Sequence, residues 1–342
     1  MRRKIVLYKA EGAGTGVEEE VLRAAGCHDK YRLVRMDADD DEAFFREAED
    51  ADGVILVYTD LREQNLKRLK NCKVLAVHAV GFNNIDLKAA TELGVCVCNT
   101  PTYCVDEVAA HTVALALDGI RKISQMNLLV RQGRWPYVTD CGKMRGTRGM
   151  TYGLVSFGNI PRRIPELLKP FGMRFIAYDP HVEDGILAEF GVERAESLES
   201  LFARSDCVSV HSPLLPATRR MISKAQFDAA KPGLVLVVTG RGGVVDEAAL
   251  RDALLDGRVS FAGLDVLESE LPESEEADGA TPLAGLDNVV ITPHIAYYTE
   301  DSLDRCRAQA MEQVVSVLEG GKLPAHLVNK EVDGRARFQM AP

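Results

Sequence analysis

Short apolar runs alternate with amphipathic stretches along most of this chain. KIVLYKA, Tyr31–Met36, ADGVILV (51–57), KVLAVHAV (73–80) and GVCVCNTP each have strand length and end at polar or Gly/Pro positions. Val17–Ala25 and Leu61–Leu69 have helical spacing between them. Strands alternating with helices every 20–30 residues or so predict βαβ units and a parallel sheet. The texture changes at DEVAAHTVALALDGIRKISQMNLLVR, which begins at Asp106. These residues, about 26 of them, predict one helix about 39 Å long. Asp106 is its N-cap and its apolar residues cover more than one face. A second series follows from Thr151: YGLVSF, RFIAYD, CVSVHS, LVLVVTG, FAGLDVL and NVVITPH read as strands, and Ser302–Leu318 as a closing helix before Gly320-Gly321. Asp333–Pro342 has little to bury and reads as a flexible tail.

The 342 residues predict two domains. The composition is that of a soluble globular protein, 46% hydrophobic and 27% charged. A net charge of −10 argues against nucleic acid or an anionic membrane as the main partner. Eight cysteines are scattered without a CxxC pair, which reads as free thiols in a reducing cytoplasm and not as a metal site. No signal peptide or membrane span is visible, and the expected location is cytoplasmic.

Three segments carry chemistry. GLVSFGNIPRR (153–163) follows a strand and opens a helix, in outline a dinucleotide-binding turn. The glycine template reads Ser156, Gly158 and Pro161 here. Pyrophosphate would lie against Gly158 and the helix N-terminus at Asn159 and Ile160. Asp179 ends the next strand about 20 residues on, where a carboxylate binds the adenine-side ribose and repels a 2′-phosphate, favouring NAD over NADP. In VVTGRGGVVDEAAL, Arg241 stands between glycines past an apolar strand, and its planar guanidinium suits a substrate carboxylate. In VVITPHIAYYTE, His294 follows a strand late in the same domain, and GLDVLESELP carries Glu270 in an acidic run.

Together these segments resemble the D-isomer-specific 2-hydroxyacid dehydrogenase family. VGFNNIDLKAATELGVCVCNTP, DEVAAHTVALAL, GNIPRR, LLKPFGMRFIAYDP, VSVHSPLLPATRRMI, TGRGGVVDEAAL, GLDVLESELP and NVVITPHIA occur in the family's order, over roughly residues 70–330. The resemblance implies two flavodoxin/Rossmann-like α/β domains with parallel sheets and an active-site cleft between them. Residues 1–103 and 297–332 would form a discontinuous substrate domain, 104–296 the NAD-binding domain and 333–342 the tail. It implies NAD as cofactor, His294 as acid/base, Glu270 paired with it, and Arg241 on the substrate carboxylate. Ala79, Val80 and Gly81 fall on the family's carboxylate-binding turn. Thr239, Gly240 and Asp265 fall near the nicotinamide, and Pro213 and Thr218 near the rest of the cofactor. Tyr103, Tyr298 and HIAYYTE look most like the D-lactate and D-hydroxyisocaproate branch. The helix from Asp106 looks like the family's dimer-forming helix, so the expected partners are a second copy and a small 2-keto or 2-hydroxy acid. GNIPR also looks like the corepressor branch, whose members bind NAD without being metabolic enzymes. A formate dehydrogenase-like reading is disfavoured, since that class has Gln where Glu270 stands.

Overall fold

The strands among the described residues all run parallel, in two sheets. The computed structural model describes residues 2–268 and 281–339. In chain order its elements are β1 (Arg3–Tyr8), α1 (Gly16–Ala24), β2 (Tyr31–Met36), α2 (Asp41–Ala48), β3 (Gly53–Leu56), α3 (Glu63–Leu66), β4 (Val74–Val77), α4 (Leu87–Glu92), β5 (Cys96–Cys98), α5 (Val105–Arg121) and α6 (Ile123–Arg131). Then come β6 (Thr151–Val155), α7 (Asn159–Leu168), β7 (Arg174–Tyr178), α8 (Asp184–Glu189), β8 (Val192–Arg194), α9 (Leu198–Arg204), β9 (Cys207–Val210), α10 (Lys224–Ala229), β10 (Leu234–Val238), α11 (Glu247–Leu255), β11 (Val259–Leu264), β12 (Val289–Ile291) and α12 (Glu300–Gly320). They divide into one unit of Met1–Cys104 with Tyr298–Pro342 and a second of Val105–Tyr297.

The first unit holds a sheet of order β2-β1-β3-β4-β5. Its inner strands β1, β3 and β4 and the strand β5 are buried on both faces, which is why they read as apolar runs, while the edge strand β2 is only partly buried. Side chains alternate along β1: Val6 and Tyr8 pack with Phe44 and Phe45 of α2, while Ile5 and Leu7 pack with Leu22 of α1 and Met311 and Val314 of α12. Each large apolar side chain so buried contributes about 1.5–3 kcal/mol. Arg307 of α12 and Glu18 of α1 form a buried bidentate pair, at 2.8 Å from Nε to Oε1 and 2.6 Å from Nη2 to Oε2. The helix expected over Leu61–Leu69 is only the single turn α3. Leu61 instead bridges to Ile85 and ties the loop after β3 to the loop after β4.

The second unit holds a sheet of order β12-β11-β10-β9-β6-β7-β8. From β6 the chain builds outward through β7 and β8, then returns to lay β9 on the other side of β6. Strand order therefore reverses between β6 and β9, and open α/β sheets bind ligands beyond the carboxyl ends of the strands at such a point. The edge strand β8 gives no strand signal in the sequence, since VER has a single apolar residue.

Two expectations need correction. The long helix from Asp106 breaks at Lys122, which is left-handed (φ 54°). The Asp118 carboxylate accepts the Ser124 N–H at 2.7 Å and also its hydroxyl, so it caps a new helix, α6. Ala109, Leu115, Ala116 and Ile120 of α5 pack into the core of its own unit, whereas α6 buries no residue. The expected tail is docked through Gln339. Ala336 is fully buried, and the Arg337 guanidinium donates to the carbonyls of Leu69, Cys72 and Leu93 at 2.7–2.9 Å. The cysteines are free thiols, all but Cys141 buried. No helix among the described residues is long and apolar enough to cross a membrane.

Candidate active site

The cofactor-side residues expected from the sequence meet along one edge of the second sheet. Every strand there is parallel, so each residue just past a strand lies at the carboxyl edge. Ser156 and Gly158 follow β6, Asp179 follows β7, Pro213 and Thr218 follow β9, Thr239, Gly240 and Arg241 follow β10, Asp265 follows β11, and His294 follows β12.

The turn after β6 fits a pyrophosphate. Gly158 is the N-cap of α7, and a Cβ built on it meets nothing within 4 Å. The space beside it is open, and Pro161 sits in the first helical turn, where a missing N–H costs least. The N–H groups of Asn159 and Ile160 make no hydrogen bond among the described residues, leaving an anion-binding helix end. Asp179 stays in the turn as a structural acceptor too. It takes the N–H of Phe157 and of His181, each at 2.8 Å.

Ser156 stands at φ 73°, the left-handed region that glycine occupies without strain. Its hydroxyl pairs with that of Ser212 at 2.6 Å, across the point where strand order reverses. Ser156→Gly relieves about 1 kcal/mol of strain and gives up a hydrogen bond of similar worth, so stability is expected to change little. Without the side chain the pyrophosphate gains room. NADH affinity is expected to rise about fivefold, or about 1 kcal/mol, in a fluorescence titration. Equal or weaker binding would instead make the Ser156 hydroxyl a phosphate contact.

Arg241 has no carboxylate partner among the described residues. Its Nη1 donates to the Gly240 carbonyl at 2.8 Å, which aims the guanidinium without neutralising it. The next residue must be glycine: a Cβ on Gly242 would lie 1.9 Å from the Leu267 carbonyl group. That close approach pins the loop carrying Arg241.

His294 is half-buried at φ 53°. A left-handed histidine costs about 1–3 kcal/mol and persists only where its surroundings over-determine it. Two other histidines are unsuited to proton transfer. Burial lowers His211 to about 3, and His78 to about 4 with the positive charges of Arg307 and Arg35 adding to the effect, so both stay neutral. His211 Nε2 lies 2.7 Å from the Ser209 hydroxyl, and Thr239 Oγ1 lies 2.9 Å from Thr112 Oγ1, a polar floor beneath the edge that the sequence did not reveal. Glu270 lies outside the described residues.

In the first unit, the turn Ala79–Gly81 follows β4. Asn99 Nδ2 donates to the Val80 carbonyl at 2.7 Å, and the Thr100 N–H to the Ala79 carbonyl at 3.1 Å. The carbonyls are thereby occupied, while the N–H groups of Val80 and Gly81 donate to nothing among the described residues. Such a pair of free N–H groups suits a carboxylate. Tyr103 is buried and Tyr298 is 55% exposed. The described residues gather no group of three or more His, Cys, Asp or Glu able to hold a metal.

A doubly wound parallel sheet with an open glycine turn and a strand-end acid on one edge defines a dinucleotide-binding domain. Known proteins narrow this. Residues 113–296 match the model of the D-isomer specific 2-hydroxyacid dehydrogenase NAD binding domain. The glyoxylate reductase of Aeropyrum pernix is 36% identical over 297 residues, covering 85% of this chain and 87% of that one. The D-3-phosphoglycerate dehydrogenase of Methanocaldococcus jannaschii is 33% identical over 84% of this chain, which spans only 53% of that protein's length. The structure of D-lactate dehydrogenase from Aquifex aeolicus, complexed with NAD and lactic acid, superposes with a TM-score of 0.80 at 29% identity, covering 92% of this chain and 96% of that one. The chain belongs to the D-isomer-specific 2-hydroxyacid dehydrogenase family, and its cofactor is NAD.

Proposed function

We propose that this protein reduces a small, unphosphorylated 2-keto acid to the D-2-hydroxy acid, and catalyses the reverse. The observation that carries this reading is the sharing of one sheet edge by the open turn after β6, the Arg241 guanidinium, which has no carboxylate partner among the described residues, and the strained His294. NADH, when bound, supplies the hydride that reduces C2. Arg241 holds the substrate carboxylate and polarises the carbonyl. In the first unit the turn Ala79–Gly81, which the family pattern assigns to carboxylate binding, has two N–H groups to offer a carboxylate. His294 gives its proton to the oxygen that becomes the alcohol, and takes it back in the oxidation. Glu270, as the family pattern implies, pairs with His294. Tyr103 and Tyr298 favour the D-lactate and D-hydroxyisocaproate branch.

Named relatives act on phosphoglycerate, glyoxylate and lactate. Charge pairing in the first unit favours an unphosphorylated substrate. At or just past the carboxyl ends of β1, β2 and β3, Lys9 is paired with Asp39, Arg35 with Asp37, and Arg62 with Asp60. A phosphate dianion binding to any of these three cations would compete with the carboxylate already there. The reading includes a homodimer through the segment expected as one helix from Asp106, whose second half α6 and the residues after it expose Ile123, Trp135, Tyr137 and Val138.

NADH oxidation assayed against pyruvate, ketoisocaproate, phenylpyruvate, hydroxypyruvate, glyoxylate and 3-phosphohydroxypyruvate tests this. Turnover is expected with one of the unphosphorylated acids, and preference for the phosphorylated one overturns the substrate class. NADH binding without turnover of any acid favours a non-catalytic NAD-responsive protein. Asp179 is expected to make NADH preferred over NADPH, and Asp179→Ala to narrow the gap. Equal catalytic efficiency with both cofactors in the wild type removes that role.

A further inference from the structure

His294 is placed by its backbone, and that backbone is held by hydrogen bonds leading back to α5. The His294 N–H donates to the Asp265 carbonyl at 2.8 Å. The Asp265 carboxylate, in a residue only 1% exposed, accepts the N–H groups of Ile295 at 3.0 Å and Ala296 at 2.9 Å. It also accepts the Thr292 hydroxyl, at 2.5 Å on Oδ1. A hydroxyl has one hydrogen to give, and here it goes to the carboxylate. His111 Nε2, 3.0 Å from the same Thr292 oxygen, must therefore be the donor in that contact and carries a proton on Nε2. The ring also stands 3.7 Å from Asp265 Oδ1. His111 is the seventh residue of α5, whose apolar face is packed into the unit, so the chain of contacts ends on a rigid element.

We propose that His111 is a positioning residue for the reaction. Through Thr292 and Asp265 it locks the loop 292–296 in the left-handed conformation that presents His294. The inference deepens the reading of His294 as proton donor and rests on it. It also gives Asp265 a task beside the contact with the nicotinamide that the resemblance implies, since its carboxylate accepts three hydrogen bonds from this loop.

The test uses the full chain with NADH and the best 2-keto acid of the screen above. His111→Leu removes the donor and keeps bulk, while His111→Gln returns an N–H. Thr292→Val removes the hydroxyl, and Thr292→Ser keeps it. The Leu and Val variants are expected to lose at least about tenfold in kcat, with KM and the NADH Kd within about twofold. The Gln and Ser variants are expected to retain about a third or more of kcat. Leu and Val variants with unchanged kcat overturn the proposal. So does a Gln variant as impaired as Leu, which makes His111 a packing residue. Should His111→Leu fail to fold, the Val and Ser pair decides by the same criterion. His294→Gln separates the two levels. If it is inactive while His111→Leu is not, the brace alone fails; if it turns over normally, the proton-donor reading fails and the brace with it.

Discussion

Replacing His294 by glutamine is expected to lower kcat for keto-acid reduction about a thousandfold, with NADH affinity within twofold of wild type. Glutamine matches the reach of the ring and can donate a hydrogen bond, but it cannot deliver a proton. General acid catalysis by a positioned side chain contributes about 10²–10⁴-fold. Burial holds His78 and His211 neutral, so neither substitutes for it. The backbone strain at φ 53° is stored by the loop and not by the ring, so the variant is expected to fold. Steady-state kinetics and NADH fluorescence titration on the same preparation check both halves. A variant that keeps more than a tenth of wild-type kcat would remove His294 from proton transfer.

Replacing Arg241 by glutamine is expected to raise KM for the keto acid about a hundredfold and to lower kcat as well. A bidentate guanidinium–carboxylate contact supplies two charge-assisted hydrogen bonds, each worth about 1.5–3 kcal/mol. A hundredfold change corresponds to about 2.7 kcal/mol. The fall in kcat follows because a carbonyl no longer polarised stabilises developing negative charge less well. Arg241→Lys keeps the charge and loses the fork, so it is expected to recover only part of the loss. Unchanged KM in the glutamine variant would assign the carboxylate to another group, with the N–H groups of Val80 and Gly81 next in line. Since Gly242 has no space for a side chain, substitutions there are expected to fail by moving this loop, and they do not report on Arg241 itself.

The sequence alone determined the parallel α/β architecture, because strands buried on both faces must read as continuous apolar runs and each ends at a recognisable turn. It also placed the candidate site residues on one edge. Ser156, Asp179, Arg241 and His294 each follow an apolar run directly, and in a parallel sheet that position is the ligand-binding edge whatever the strand order. Position after a strand is a local property, so a linear reading suffices.

What the tertiary structure decided depends on partners distant in sequence. The break at Lys122 turns on the Asp118 side chain reaching Ser124 within one otherwise continuous helical pattern. The docking of residues 333–339 turns on Arg337 finding carbonyls at Leu69, Cys72 and Leu93. Glu18 reads as one acid among several until Arg307, far along the chain, is packed against it. His111 likewise reads as one polar position on an apolar helix. It becomes a candidate for catalysis only when folding brings it within hydrogen-bond distance of Thr292, beside the carboxylate that holds the His294 loop. Hydropathy records which residues leave water. It carries no record of which buried polar groups satisfy one another, and here those pairings hold the loop of the side chain proposed to move the proton.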